Sequence, residues 1–364
     1  MNTRMEATVA QITREELGEV LAVTRELAHR ELAPRALEVD DRSAAATNDC
    51  WQAVSEVGLD RAILREDEGG AGVGLAGLLA LVEELAVGEG GIATLALLSN
   101  AALAVLAPSV RGGLDGATRT AMVALPQQGT PGSRGLRFAD DRVSGHVVFA
   151  LGALGAGTLV LAGHDGDGQG VYTVDAGGPG VTVTAIDDQL GLKGAPAARI
   201  DLEDAPVQNV GAADEVSAAL TLLNAGIAAV ARGVARRAHE ICFEYAQNRY
   251  QGGSMIIEYG AVIDMIARIS ERNRVIAGAA AFDGVPVGAG GAQGREALAQ
   301  ALAAKAAATE AAADSTTDAV QSMGGMGYMH ETGVEKLMRD ARYCQLYPQS
   351  NWLAREDLVR LERG

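Results

Sequence analysis

Apolar residues recur every three to four positions over residues 13–33, where Leu17, Val20, Leu21 and Leu27 fall on one face. Thr13 stands at the N-cap position with Glu16 three residues on, a spacing that lets each side chain bond the other's backbone N–H. Pro34 ends or kinks this helix, because its nitrogen carries no proton. Helical spacing returns near Trp51–Val57, from about Leu75 to Val87 and from about Ile92 to Leu106. A loop rich in glycine and charge, Gly58 to Gly72, lies between the first two of these segments.

The texture changes near Ala121. Met122–Leu125, Gly135–Phe138, Arg142–Phe149, Thr158–Ala162, Val171–Val174, Val181–Thr184 and Ala198–Leu202 are short runs rich in β-branched residues, punctuated by Gly, Asp or Pro. Such spacing predicts a small antiparallel barrel or sandwich. Long helical periods resume from Asp214 to Arg249, Ile256 to Ala279 and Gln293 to Met323, with Phe282–Gly288 reading as a loop. Their broad apolar faces predict an antiparallel bundle. The chain is thus expected to be a multidomain α and β protein. Its parts are an N-terminal helical domain (1–118), a middle antiparallel β-barrel (119–209) and a C-terminal four-helix-type bundle (210–364).

Composition narrows the chemistry. Ala and Gly are abundant and aromatic residues scarce, which suits close-packed helices. A net charge of −17 makes nucleic acid a poor partner, since phosphate binding needs a basic face. Cys50, Cys242 and Cys344 are odd in number and widely spaced, so neither a disulfide framework nor a metal set is expected. With no signal-like apolar core near the N-terminus and no uninterrupted apolar run of about 18 residues, a cytoplasmic location is expected.

One stretch organises the functional reading: Gln321-Ser-Met-Gly-Gly-Met-Gly-Tyr328. It ends an Ala-rich helix on glycines that can take positive φ and leave backbone amides bare. In the helix that follows, Glu335, Lys336, Arg339 and Asp340 stand at pairing distance. The string Gln-x-x-Gly-Gly-x-Gly-Tyr, then Val-Glu-Lys-x-x-Arg-Asp, then Tyr347 and Asn351, resembles the C-terminal signature of the acyl-CoA dehydrogenase family. Three further segments resemble that family in the right order: Glu68-Gly-Gly-Ala-Gly72, Leu190-Gly-Leu-Lys-Gly-Ala-Pro196 and Arg249-Tyr-Gln-Gly-Gly253. The Gln-Gly-Gly variant is similar to that of bacterial members acting on cyclic or aryl-substituted acyl-CoAs.

The resemblance implies FAD between bundle and barrel, an acyl-CoA thioester as substrate, electron-transfer flavoprotein as acceptor, and a homo-oligomer or a hetero-oligomer with a second such subunit. It assigns Arg249, Gln321, Gly324 and Gly325 to the pyrophosphate and adenosine of a neighbour's flavin. Phe149 takes the place of a flavin-facing Trp, and Tyr347, Ser350 and Asn351 belong to the cofactor-side turn. A guanidinium fork and bare glycine amides suit a pyrophosphate.

The resemblance breaks at the chemistry. The family's proton acceptor lies in Tyr-Glu-Gly-Thr-Asn, and the string here is Tyr347-Pro-Gln-Ser-Asn351. Pro348 supplies neither a carboxylate nor an N–H for the thioester oxygen. The alternative base position is Ala219, and the family's CoA-binding Arg is replaced by Leu220. Gly252 replaces a flavin-packing Phe, and the loop lining flavin and substrate is shortened to Leu125–Gly129. Glu89, in Gly88-Glu-Gly-Gly91, falls near the segment where some cyclic-acyl members carry an Asp base, and it is the candidate catalytic residue.

Two principal readings follow. The chain is an acyl-CoA dehydrogenase with its base at a non-standard position or on a partner chain, or it is a non-catalytic subunit lending FAD contacts to a hetero-oligomer. A third reading places another flavin oxidoreductase, of nitroalkane oxidase or monooxygenase type, on the same fold.

Overall fold

The computed structural model describes residues 12–114, 119–124, 136–139, 141–164, 169–279 and 290–363. The expected loops Leu125–Gly129 and Phe282–Gly288 lie outside the described residues.

Helix α1 (Arg14–Leu27) begins with the reciprocal cap expected from Thr13 and Glu16. Pro34 does not stop the chain's coiling. A π-helical turn (Ala28–Leu32) and a 3-10 turn (Ala33–Arg35) lead into α2 (Ala36–Asp40), and Pro34 sits at the start of the 3-10 turn, where an N–H would go unused. Then come α3 (Ala44–Glu56), α4 (Gly74–Gly88), α5 (Gly90–Val105) and α6 (Pro108–Arg111). A single residue, Glu89, joins α4 to α5. Every residue of α5 from Gly90 to Ala102 is buried, as its all-round apolar composition requires. Its one buried amide side chain, Asn100, bonds Ile63 N, Leu59 O and Ala96 O, fixing the Gly58–Gly72 loop to the core.

Among the described residues the middle region holds eight strands: β1 (Arg119–Ala124), β2 (Arg137–Ala139), β3 (Arg142–Leu151), β4 (Ala156–His164), β5 (Gln169–Asp175), β6 (Val181–Ala185), β7 (Ala197–Pro206) and β8 (Gln208–Gly211). They form two four-stranded sheets, ordered β1-β4-β5-β8 and β2-β3-β7-β6. Inward-facing Ala121, Val123, Val147, Leu159, Leu161 and Ile200 fill the space between them. One pair departs from the antiparallel expectation: β1 runs parallel to β4. The intervening β2 and β3 belong to the other sheet, so the chain re-enters the first sheet in its original direction.

The C-terminal region comprises α7 (Ala213–Asn248), a short hairpin of β9 (Tyr250–Gln251) and β10 (Ser254–Met255), α8 (Gly260–Ala279), α9 (Gly291–Ser322), α10 (Val334–Cys344) and α11 (Asn351–Arg363). The hairpin turns on Gly252 and Gly253, with φ of 69° and 103°. An aromatic residue at position 252 would strain that turn, so the missing family Phe and the hairpin are linked. Asn273 of α8 reaches Ala235 O of α7, while Arg268 and Arg272 of α8 grip Asp318 of α9. These pairings make neighbours antiparallel and bring the C-terminal ends of α7 and α9 to the same end of the bundle. Helix α7 is long and apolar enough to cross a bilayer, but 89% of its most apolar window is buried inside the fold.

Candidate flavin and acyl site

Two groups of expected site residues fall in two different settings. Arg249 caps the end of α7 and is exposed, and among the described residues its guanidinium makes one long contact, 3.4 Å, to Gln251 Oε1. Gln321, in the last turn of α9, and Gly324 and Gly325, in the 3-10 turn that follows, are exposed as well. Gly324 takes φ +59°, and nothing lies within 4 Å of where a Cβ would stand on Gly324 or Gly325. Helices α7 and α9 also pack directly against each other. The guanidinium and the bare turn therefore share one end of the bundle, open to an incoming group.

The second group lines the turn after α10. Tyr347 is buried, and its hydroxyl has no hydrogen-bond partner among the described residues. Asn224 Oδ1, on α7, is in the same condition. Burial pushes the Tyr347 phenol up, so it stays protonated at neutral pH. Pro348 follows, half-buried. Ser350 begins α11, its hydroxyl 3.4 Å from Leu353 N. Asn351 faces inward, bonding Thr309 Oγ1 at 3.0 Å and accepting from Lys305 Nζ at 2.8 Å. Phe149, at the end of β3, keeps 37% of its surface exposed and tilts against Tyr343 with ring centres 5.7 Å apart.

Lys305 was not legible as a site residue, yet it shapes this turn. It is fully buried on α9, and its ammonium donates to Gln345 O at 3.0 Å and Gln349 O at 2.5 Å as well as to Asn351. All three N–H groups are thus spent on the segment that carries Pro348. Burial without a carboxylate partner pulls the Lys305 pKa down to about 7. The clue in the sequence was its position on α9 among Ala301, Leu302, Ala308 and Thr309, a buried stripe at helical spacing.

Glu89, the candidate catalytic residue, lies at the junction of α4 and α5. It is 1% exposed, caps α5 by accepting Ile92 N–H at 2.6 Å, and pairs with Lys336 of α10. Lys336 also bonds Asp340 at 2.7 Å, and Asp340 accepts Leu192 N–H at 2.6 Å. Burial raises the Glu89 carboxyl, and Lys336 opposes that shift. Gly91 and Gly194 let the backbones of α5 and the β6–β7 connection approach where a Cβ would collide. The charged triad therefore joins all three regions of the chain at one point.

Helices on either side of a β region, with a glycine turn and a guanidinium at one bundle end, define a flavoprotein dehydrogenase architecture. Residues 14–115 match the N-terminal domain of acyl-CoA dehydrogenase and residues 214–350 its C-terminal domain, and the chain belongs to the acyl-CoA dehydrogenase family. It is 29% identical to a cyclohex-1-ene-1-carbonyl-CoA dehydrogenase of Geobacter metallireducens, over 94% of this chain and 96% of that one. A protein of the same description from Syntrophus aciditrophicus is 26% identical over 97% and 91%. Among solved structures, butyryl-CoA dehydrogenase from Megasphaera elsdenii superposes over both chains in full, with a TM-score of 0.81 at 19% identity. A glutaryl-CoA dehydrogenase complex gives a TM-score of 0.83 at 17% identity, covering 97% of this chain and 96% of that one. The family's cofactor is FAD. The residues present fit such a group: an exposed guanidinium beside uncrowded glycines, an open aromatic face, and two buried polar atoms lacking protein partners.

Proposed function

We propose that this chain binds FAD and takes part in α,β-dehydrogenation of an acyl-CoA thioester as one subunit of an oligomer, with the proton acceptor supplied by a partner chain. The observation that carries the reading is the Tyr347–Asn351 turn. Lys305 holds it firmly, and it presents Pro348 in place of a carboxylate. Bound FAD would supply the hydride acceptor for the substrate's β-carbon. Arg249 holds the pyrophosphate with a guanidinium fork, and Gly324 and Gly325 let it approach their amides. Phe149 offers an apolar face to the ring system, and the Tyr347 hydroxyl orients the bound ligand as a hydrogen-bond donor.

Glu89 serves as a domain anchor in this reading, because Lys336 and the Ile92 N–H already engage its buried carboxylate. The two relatives and the Gln251-Gly-Gly253 variant support an alicyclic acyl group, and the family supports electron-transfer flavoprotein as the acceptor. A second reading, an FAD-lending subunit without turnover of its own, is favoured by buried Ala219 and its neighbour Leu220, which provide neither base nor cation.

The test is anaerobic addition of cyclohex-1-ene-1-carbonyl-CoA to the flavin-loaded chain, alone and mixed with a homologue carrying the family's Glu. The flavin band should persist in the chain alone and bleach in the mixture. Equal bleaching by the chain alone would overturn the reading. If the chain's own flavin persists in the mixture while the homologue's bleaches, the second reading holds.

A further inference from the structure

A cavity of about 410 Å³ opens between the Gly58–Gly72 loop, α5, α6 and β1, and none of its lining residues comes from α7, α9 or α10. It is therefore separate from the flavin-gripping end. Its volume falls in the range of small-molecule pockets. The charge of its lining opposes that of the protein. Among the described residues, Arg61, Arg65, Arg111 and Arg119 share it with two carboxylates, Asp60 and Glu68, on a chain of net charge −17.

Three of these cations are spoken for. Arg61 pairs with Asp60 at 2.9 Å, Arg65 with Asp67 at 2.9 Å, and Arg111 with Glu68. Arg119 has no carboxylate partner among the described residues. It donates to the carbonyls of Gly152 and Leu154, and its guanidinium carbon lies 5.6 Å from the centre of the Trp51 ring. Two carbonyls leave other N–H groups of its five unspent. Burial brings its pKa down to about 10, so it remains a cation at neutral pH while largely withdrawn from water. A half-buried cation facing a cavity without a carboxylate against it among the described residues is placed to receive an anionic ligand. Leu64, Leu103 and Leu114 supply apolar wall beside it.

We propose that this cavity binds a small organic anion, whose carboxylate or phosphate oxygens engage Arg119 while a short apolar body rests on the leucines. Both head groups present the paired oxygens that a guanidinium fork recognises. Neither the flavin nor the thioester chemistry is needed for this binding.

Trp51 supplies a local reporter. The chain has two tryptophans, and the other, Trp352, is exposed on α11, so Trp352→Phe leaves Trp51 alone. The flavin-loaded, full-length W352F chain is titrated with hexanoate, hexyl phosphate and inorganic phosphate at constant ionic strength. Hexanoate or hexyl phosphate should change Trp51 emission saturably at millimolar concentration or below, and should raise the thermal midpoint in parallel. The stronger of the two identifies the head group. Arg119→Gln in the same background should weaken binding about tenfold or more, the loss of at least one charge-assisted bond. If Arg119→Gln does not fold, the emission and thermal titrations of the W352F chain decide alone. No saturable response, a response to inorganic phosphate alone, or an undiminished response in Arg119→Gln overturns the proposal.

Discussion

Lys305 and Lys336 head the fully buried side chains by size, and the protein accommodates them in opposite ways. Lys336 sits between two carboxylates, Glu89 and Asp340, and its pKa rises. Lys305 has no carboxylate against it, only two backbone carbonyls and an amide oxygen, and its pKa falls to about 7. The first arrangement is a junction, because its members come from the α4–α5 link and α10, and Asp340 extends it to the loop leaving the β region. The second is a cradle, because everything Lys305 touches belongs to the turn around Pro348 or to the start of α11. A lysine paired with carboxylates holds domains together. One paired with carbonyls sets the path of the loop that carries Pro348.

The sharpest way to break this contrast is to remove each ammonium. Lys336→Met leaves two buried carboxylates unpaired and should cost about 3–5 kcal/mol in denaturant unfolding. Lys305→Met leaves three acceptors unbonded but also removes a desolvated charge, so its cost should be smaller, about 1–3 kcal/mol. Equal losses would show that the two sites do the same job.

The pH dependence should also separate them. Lys305 has a folded pKa of about 7 against about 10.4 unfolded, so between those values the unfolded chain binds more protons. Its contribution therefore makes stability rise with pH across that window and stay level below it. The raised pKa of Lys336 gives the opposite sign: its contribution is complete below about 10.4 and is lost only as pH climbs through the higher folded value. Wild type and Lys336→Met should share the rise between about pH 7 and 10, and Lys305→Met should lack it.

Beyond the lysines, Arg249→Ala tests the open end of the bundle. It should weaken FAD retention by about tenfold, the worth of one charge-assisted contact, without changing the unfolding midpoint of the apo chain. A matching loss of apo stability would mean that Arg249 is a structural group.

Much of this was readable in the residues. Thr13 and Glu16 announced the first cap, the β-branched runs marked the strands, and Gln321–Tyr328 marked the turn. These features depend on local spacing, which a sequence displays directly. The burial of Glu89 was not legible, because Gly88, Gly90 and Gly91 read as a loop. Those glycines instead permit a helix–helix join packed against Gly194, and burial of the carboxylate follows from a partner some 250 residues away in sequence. The same spacing that paired Glu335 with Arg339 and Lys336 with Asp340 could not say that the second pair is buried. Arg119 gave no sign at all, since its cavity is assembled from a loop, two helices and a strand.

The proposed function turns on Pro348, which gives the well-held Tyr347–Asn351 turn neither a carboxylate nor an N–H. Pro348→Glu tests it most directly, by stopped-flow measurement of flavin reduction after anaerobic mixing with acyl-CoA. The account predicts reduction at least about 10²-fold faster than in the wild-type chain alone, the usual worth of a positioned base. Wild type reducing its flavin as fast as the variant would contradict it.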